Sequence, residues 1–183
     1  MAARGARPRE GDRALRPTRV ELDLGGIAKG YAVDRVVDGL RKNRVAAALV
    51  SAGGSTVYGL GAPPGTKGWR IAIEDPLDAR RVARRVWLED RALSVSGTSG
   101  RSFDAAGRRY SHIMDPRRGR PVEGVLSAAV LSSTGTAGDA LDNALVVLGV
   151  EAGRKLLRRL PLTEAFLFLP EAGGKWRLVR LGS

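Results

Sequence analysis

The stretch Val20-Glu21-Leu22-Asp23-Leu24 alternates apolar and acidic positions, the period of a half-buried strand, and Gly25-Gly26 ends it. From Ile27 to Leu40 the apolar residues Ile27, Ala28, Tyr31, Ala32, Val36, Val37 and Leu40 recur at helical spacing, which predicts a helix. Ala46–Val50 reads as a buried strand, turned by Gly53-Gly54 into a second strand around Thr56–Tyr58. Gly61–Gly68 is a Pro/Gly loop, and Trp69–Ile73, Val82–Leu88 and Ala92–Val95 read as further strands. A Ser/Gly/Thr turn is predicted over Ser96–Ser102, a hairpin broken at Gly107 over Phe103–Met114, and a strand over Val125–Ser132. Ala137–Leu148 and Ala152–Leu160 carry helical patterns, and Thr163–Leu169 and Trp176–Leu181 close the chain as strands. Many short strands with two or three inserted helices predict an α+β fold. A mixed, largely antiparallel sheet with packed helices is the expected architecture.

Length and composition narrow the class. The chain has 183 residues, enough for one domain, and 43% hydrophobic residues, enough to bury a core. No run approaches the roughly 18 consecutive apolar residues of a membrane span, so no transmembrane segment is expected. Without cysteine there is no disulfide framework, zinc–thiolate site or thiol nucleophile. Residues 1–19 read as a basic flexible tail, and 20–183 as the folded domain. No apolar region follows the positive start, so the chain as written predicts a cytoplasmic protein, or an extracytoplasmic one if its true N-terminus lies further upstream. The net charge of +12 invites a nucleic-acid reading. Only five of the 31 basic residues are Lys, however, and aromatic residues make up only 5%, too few for base-stacking platforms. No nucleic-acid partner is expected.

Three segments carry candidate chemistry. The first is Asp23-Leu24-Gly25-Gly26-Ile27-Ala28-Lys29-Gly30-Tyr31-Ala32, a strand passing through a glycine pair into a helix. Main-chain N–H groups at such a helix start favour anions, and Lys29 suits a phosphate; a plain strand–helix turn with a solvated Lys is the alternative. The second surrounds His112, the only histidine, flanked by Arg109, Arg117, Arg118 and Arg120, whose charges favour a neutral imidazole able to accept a proton. One histidine excludes a two-histidine metal site. The third is Gly138-Asp139-Ala140-Leu141-Asp142-Asn143-Ala144, where Asp139, Asp142 and Asn143 share one helix face. In a first turn these oxygens suit either an N-cap arrangement or an oxygen-only site for a hard divalent cation. Two further glycine segments are decoys. Gly61–Lys67 is one residue short of a phosphate-loop pattern with no helix after it, and Gly53-Gly54 lacks the remaining dinucleotide spacing.

Together these segments resemble the C-terminal catalytic part of the ApbE-type flavin transferases. The resemblance is carried by residues 23–35, Ser-Ala-Gly-Gly at 51–54, Ser-Gly-Thr-Ser at 96–99, Tyr-Ser-His-Ile-Met-Asp-Pro-Arg-Arg-Gly-Arg-Pro-Val at 110–122, and Gly-Asp-Ala-Leu-Asp-Asn-Ala at 138–144. It implies an FAD site whose diphosphate is held by Mg²⁺. The implied metal ligands are the main-chain oxygen of Ala28 and the side chains of Asp139, Asp142 and Asn143. Gly25, Lys29, Tyr31, Ile113 and Met114 would line the nucleotide. The implied reaction moves FMN from FAD to a Thr or Ser hydroxyl of an acceptor flavoprotein and releases AMP. Its catalytic residues would be Asp139 and His112 as base, with Asp115 as the fallback base. The alternatives are an FAD pyrophosphatase, with water as acceptor, and a non-catalytic flavin- or protein-binding module. Two departures stand out. The family usually has Thr where this chain has Asn143, and its long N-terminal portion, one wall of the FAD site, is not present here, so a second chain completing the site is a candidate partner.

Overall fold

The computed structural model describes residues 23–98, 102–105 and 108–182. In chain order the elements are α1 (Ala28–Lys42), β1 (Ala48–Ala52), β2 (Thr56–Leu60), β3 (Trp69–Asp75), β4 (Asp78–Leu88), β5 (Arg91–Gly97), β6 (Ser102–Ala105) and β7 (Arg108–Ser111). They continue with β8 (Met114–Asp115), β9 (Arg120–Pro121), β10 (Ser127–Ser132), α2 (Gly135–Leu157), β11 (Glu164–Glu171) and β12 (Lys175–Gly182). Six strands form the main sheet in the order β1-β2-β5-β10-β11-β12, and every described strand pair is antiparallel. The α+β class expected from the sequence therefore holds, with two helices. Among the described residues no helix is long and apolar enough to cross a membrane.

The sheet is covered on both faces, which explains why β10 is buried at every position. Successive side chains on a strand point to opposite faces. Ala128 and Val130 accordingly join Leu145 and Val146 of α2 in one core cluster. Ala129 and Leu131 join Ile73, Val86 and Leu88 of the β3–β4 hairpin in another. Small residues in the centre let α2 approach closely: a Cβ on Gly138 would lie 2.9 Å from Ser132 Oγ and 3.1 Å from Ser94 Cβ. The helix α1 packs on the β1–β2 end, burying Val33 and Val37 against Tyr58, Leu60 and Ala92. Removing the Leu145 side chain beyond Cβ would cost about 2–5 kcal/mol, the usual range for a fully buried Leu.

Two sequence expectations change and a third holds. Residues 20–22 of the first predicted strand lie outside the described residues, as do the tail at 1–19 and Gly107, while Asp23 and Leu24 are irregular backbone leading into a turn. The two predicted C-terminal helices are borne out within α2, which is interrupted at Gly149, whose φ of 71° and ψ of −169° are non-helical. The helix also starts at Gly135, two residues earlier than the apolar pattern suggests, with Thr134 as N-cap accepting the Ala137 N–H at 3.2 Å. That shift moves Asp139 and Asp142 out of the first turn, and the N-cap alternative for them on their own helix is thereby excluded.

Candidate functional site

The N-terminal ends of α1 and α2 cross where both helices carry glycine. A Cβ on Gly30 would sit 2.2 Å from the Gly135 carbonyl oxygen, and one on Gly135 would sit 2.8 Å from the Gly30 oxygen. Only bare backbone fits there. The helix α1 has no side-chain cap of its own at Ile27. Instead the Gly30 N–H donates to Asp139 Oδ2 at 2.9 Å, so a carboxylate from the second helix closes the first. A carboxylate is favoured at a helix N-terminus, where orphan N–H groups and the helix dipole both meet it.

This crossing gathers the first and third candidate segments. Asp139 and Asp142 are buried, at 2% and 1% exposure. Lys29 Nζ lies 3.5 Å from Asp139 Oδ1 and donates to the Gly25 carbonyl at 3.2 Å. Ala28 opens α1 two residues before Gly30. Asp142 Oδ2 accepts from Ser94 Oγ at 2.7 Å, and that hydroxyl lies 2.9 Å from Thr56 Oγ1. Burial, and then the neighbouring Asp139 charge, push the Asp142 carboxyl up to about 7, against the opposing pull of the Ser94 bond. Buried acids with one ammonium at salt-bridge distance form a site that a hard cation would relieve, and oxygen donors suit such a cation. Among the described residues no group of three or more His, Cys, Asp or Glu could hold a metal ion, so beyond Asp139 and Asp142 a cation would draw on main-chain or amide oxygens, water or a ligand's own oxygens.

Asn143 fits that role only after a change. Its amide Nδ2 donates to the Asp139 main-chain oxygen and to Asp142 Oδ1, both at 2.9 Å, while its Oδ1 accepts from Ser96 Oγ at 3.0 Å. As arranged, Asn143 is a donor to Asp142 and not a co-ligand with it. Acting as a ligand through Oδ1 requires the amide to turn and give up the Ser96 bond.

The His112 segment is a different environment. His112 is exposed on the connection from β7 to β8, and Met114 is exposed at the start of β8. Ile113 is a core residue packed with Val122, Val125 and Val146, so its side chain faces the interior. Asp115 corrects its expected role as fallback base. Both its oxygens pair with Arg117, Oδ1 to Nε at 2.9 Å and Oδ2 to Nη2 at 2.8 Å, and Oδ1 also accepts the Arg117 N–H. Those bonds hold its carboxyl down at about 2, which makes it a poor proton acceptor near neutrality. The same guanidinium reaches the Val147 carbonyl at 3.2 Å, so this segment meets α2 beyond Asn143, not at the carboxylate pair. A cavity of about 1060 Å³ lies there, lined by Tyr110, Arg118, Arg120, Val146 and Gly149 among others, and it does not include Asp139 or Asp142.

Near Lys29 the surface is apolar and open: Leu24 is 62% exposed, Ile27 38% and Tyr31 56%. Arg35 stacks over the Tyr31 ring with its Cζ 5.3 Å from the centroid. The sequence reading missed Ser94, Thr56 and Asp34 among the residues that shape the site. Ser94 stands two positions before the quoted 96–99 motif, on the same strand face as Ser96, and that period was the available signal.

Comparisons with known proteins point to a single family. A model of the ApbE family matches residues 4–167. An FAD:protein FMN transferase of Klebsiella pneumoniae (strain 342) is 40% identical over 147 residues, covering 79% of this chain and 44% of that protein. Another of that name from Rhodobacter capsulatus is 43% identical over 132 residues, covering 72% of this chain and 25% of that protein. Among solved structures, apo flavinyl transferase ApbE from Pseudomonas stutzeri superposes with a TM-score of 0.73 at 35% identity, over 88% of this chain and 49% of that one. The apbe protein of Thermotoga maritima gives 0.76 at 34% identity, over 88% and 51%. The chain thus spans about half the length of the solved relatives it matches, and less of the two curated ones.

Proposed function

Because the chain belongs to the ApbE family, we propose that it moves FMN from FAD to a Thr or Ser hydroxyl of an acceptor flavoprotein and releases AMP. The observation that carries this reading is the buried Asp139–Asp142 pair with Lys29 at its mouth. Mg²⁺ suits this donor set. The main-chain oxygen of Ala28, Asp139 Oδ1, Asp142 and, once its amide turns, Asn143 would hold it, and when bound it would draw charge from the diphosphate.

The rest falls to the chain's own residues. Lys29 keeps 40% of its side chain exposed, so its ammonium serves both Asp139 and a phosphate arriving from outside. Gly25 and Gly26 leave the main chain open to close approach, and Tyr31 and Met114 offer exposed apolar faces for a planar ring system. In the transfer, the acceptor oxygen bonds to the FMN phosphorus and the phosphorus–oxygen bond to AMP breaks. AMP leaves with that electron pair, and the hydroxyl proton passes to the imidazole of His112, the one histidine in the chain.

Incubating the chain with FAD, Mg²⁺ and an acceptor protein tests this directly. AMP measured by chromatography should match covalent flavin fluorescence on the acceptor in a denaturing gel. AMP with free FMN and no labelled acceptor would identify a pyrophosphatase instead. Absence of both products would overturn the enzymatic reading.

A further inference from the structure

We propose that Asp34 is a positioning residue for the candidate site, one half of a reciprocal cap in which each helix closes the N-terminus of the other. The observation is a local two-fold pattern. Each helix carries glycine followed four residues later by aspartate: Gly30 and Asp34 on α1, Gly135 and Asp139 on α2. Residues four apart share a helix face, so each glycine and its aspartate turn toward the same neighbour. The Gly30 N–H donates to Asp139 Oδ2 at 2.9 Å. In return the Gly135 N–H donates to Asp34 Oδ1 at 2.6 Å, and both the N–H and hydroxyl of Thr136 donate to Asp34 Oδ2, at 2.9 and 2.5 Å. The two glycine backbones meet between these caps.

The arrangement has a consequence for chemistry. Asp139 gives one oxygen to α1, leaving Oδ1, which faces Lys29, for a ligand. Where Oδ1 lies relative to Lys29 and Asp142 depends on the register of the two helices, and Asp34 holds that register from the opposite side. A shift of about 1 Å at such a crossing is enough to spoil a liganding geometry. Asp34 touches neither Lys29 nor Asp142 in these contacts; it acts through the helices. That consequence rests on the function proposed above, whereas the reciprocal coupling itself does not.

The test is amide hydrogen exchange on the full chain, with neither metal nor FAD added, in wild type, D34A, D34N and D139N. D34A should speed exchange of the Gly30 N–H, which Asp34 does not contact, at least tenfold, while the core amides of Val146 and Phe168 keep their protection. D139N should do the same at Gly135 and Thr136, and D34N should fall between wild type and D34A. Should D34A fail to fold, T136V, which removes one of the three bonds to Asp34, carries the same test with a several-fold effect. Unchanged exchange at Gly30 in the Asp34 variants would overturn the coupling, as would a rise shared equally by the core amides. A second arm measures Mn²⁺ affinity by water-proton relaxation, expected to fall about tenfold in D34A. Wild type failing to bind Mn²⁺ would instead count against the metal reading of the site, and the exchange arm would still decide this inference.

Discussion

Asp142 and Asp115 are the same side chain in opposite circumstances. Asp142 lies one turn past the crossing of α1 and α2, against Ser94 of β5, where burial and a second carboxylate push it up to about 7. Asp115 sits at the edge of the exposed Arg117–Arg120 turn, where a two-pronged guanidinium contact holds it at about 2. The first environment resists negative charge until a cation is there to neutralise it; the second has already neutralised its own. Motif membership made Asp142 a candidate metal ligand and Asp115 a candidate base, and their surroundings set the two apart.

Replacing Asp139 with Ala should have the largest effect. It removes both a proposed ligand and the cap on Gly30, and AMP release from FAD should fall at least a hundredfold, about the upper range for disturbing a metal site. Asp115→Asn, assayed alongside, should lose tenfold or less (roughly 1.4 kcal/mol of barrier). Equal losses would erase the contrast between the two regions.

His112→Ala comes next. Loss of a positioned base typically costs about 10²–10⁴ in rate, so covalent flavin transfer should drop by about a hundredfold while FAD affinity, followed by flavin fluorescence, stays within a few-fold. Transfer near the wild-type rate would remove His112 from the chemistry and leave the helix crossing as the whole of the site.

Stability against pH sharpens the comparison without any substrate. A carboxyl raised on folding binds its proton more tightly in the native chain, so the metal-free protein loses stability as pH rises from about 4 to about 7, by up to ~1.4 kcal/mol per pH unit. The lowered Asp115 acts with the opposite sign: its contribution is present above about pH 4 and is lost as pH falls toward 2. Urea denaturation of Asp142→Asn should therefore be flat between pH 4 and 7 yet keep the acid-side loss. A wild-type chain equally stable at pH 5 and pH 7.5 without divalent cations would contradict the burial argument.

The smallest expected change is at Asn143. Asn143→Thr removes the amide that donates to Asp142 and replaces it with a hydroxyl that needs no turn, so Mg²⁺ affinity measured by calorimetry should rise a few-fold. Weaker binding would mean that the amide already turns freely.

Much of the architecture was legible. Helical spacing placed α1 within two residues, and β5, β10, β11 and β12 fall where apolar runs predicted strands. Those elements are local in origin, set by periodicity and turn residues. The fine boundaries were not: Gly135 and Thr136 carry no apolar signal, so α2 was expected to begin at Ala137 and its acids were assigned to the first turn. Nor could Ile113 be sorted from Met114 beside it. One packs against Val146 and the other faces outward, a matter of which side of the chain meets α2.

The sequence by itself determined the chemistry available: a lone histidine, no thiol, a lysine after a glycine pair, and two aspartates three residues apart. It also determined the family, because the collinear motifs survive in the linear order of residues. Only the tertiary structure decided what each acid does. Asp139 closes a helix more than a hundred residues away in the chain, Asp34 returns the favour, and of two buried acids Asp115 has a guanidinium partner while Asp142 has none. The reason is physical: hydrogen-bond satisfaction of a helix end and the desolvation of a carboxylate depend on what packs beside them, and no local pattern encodes that neighbour.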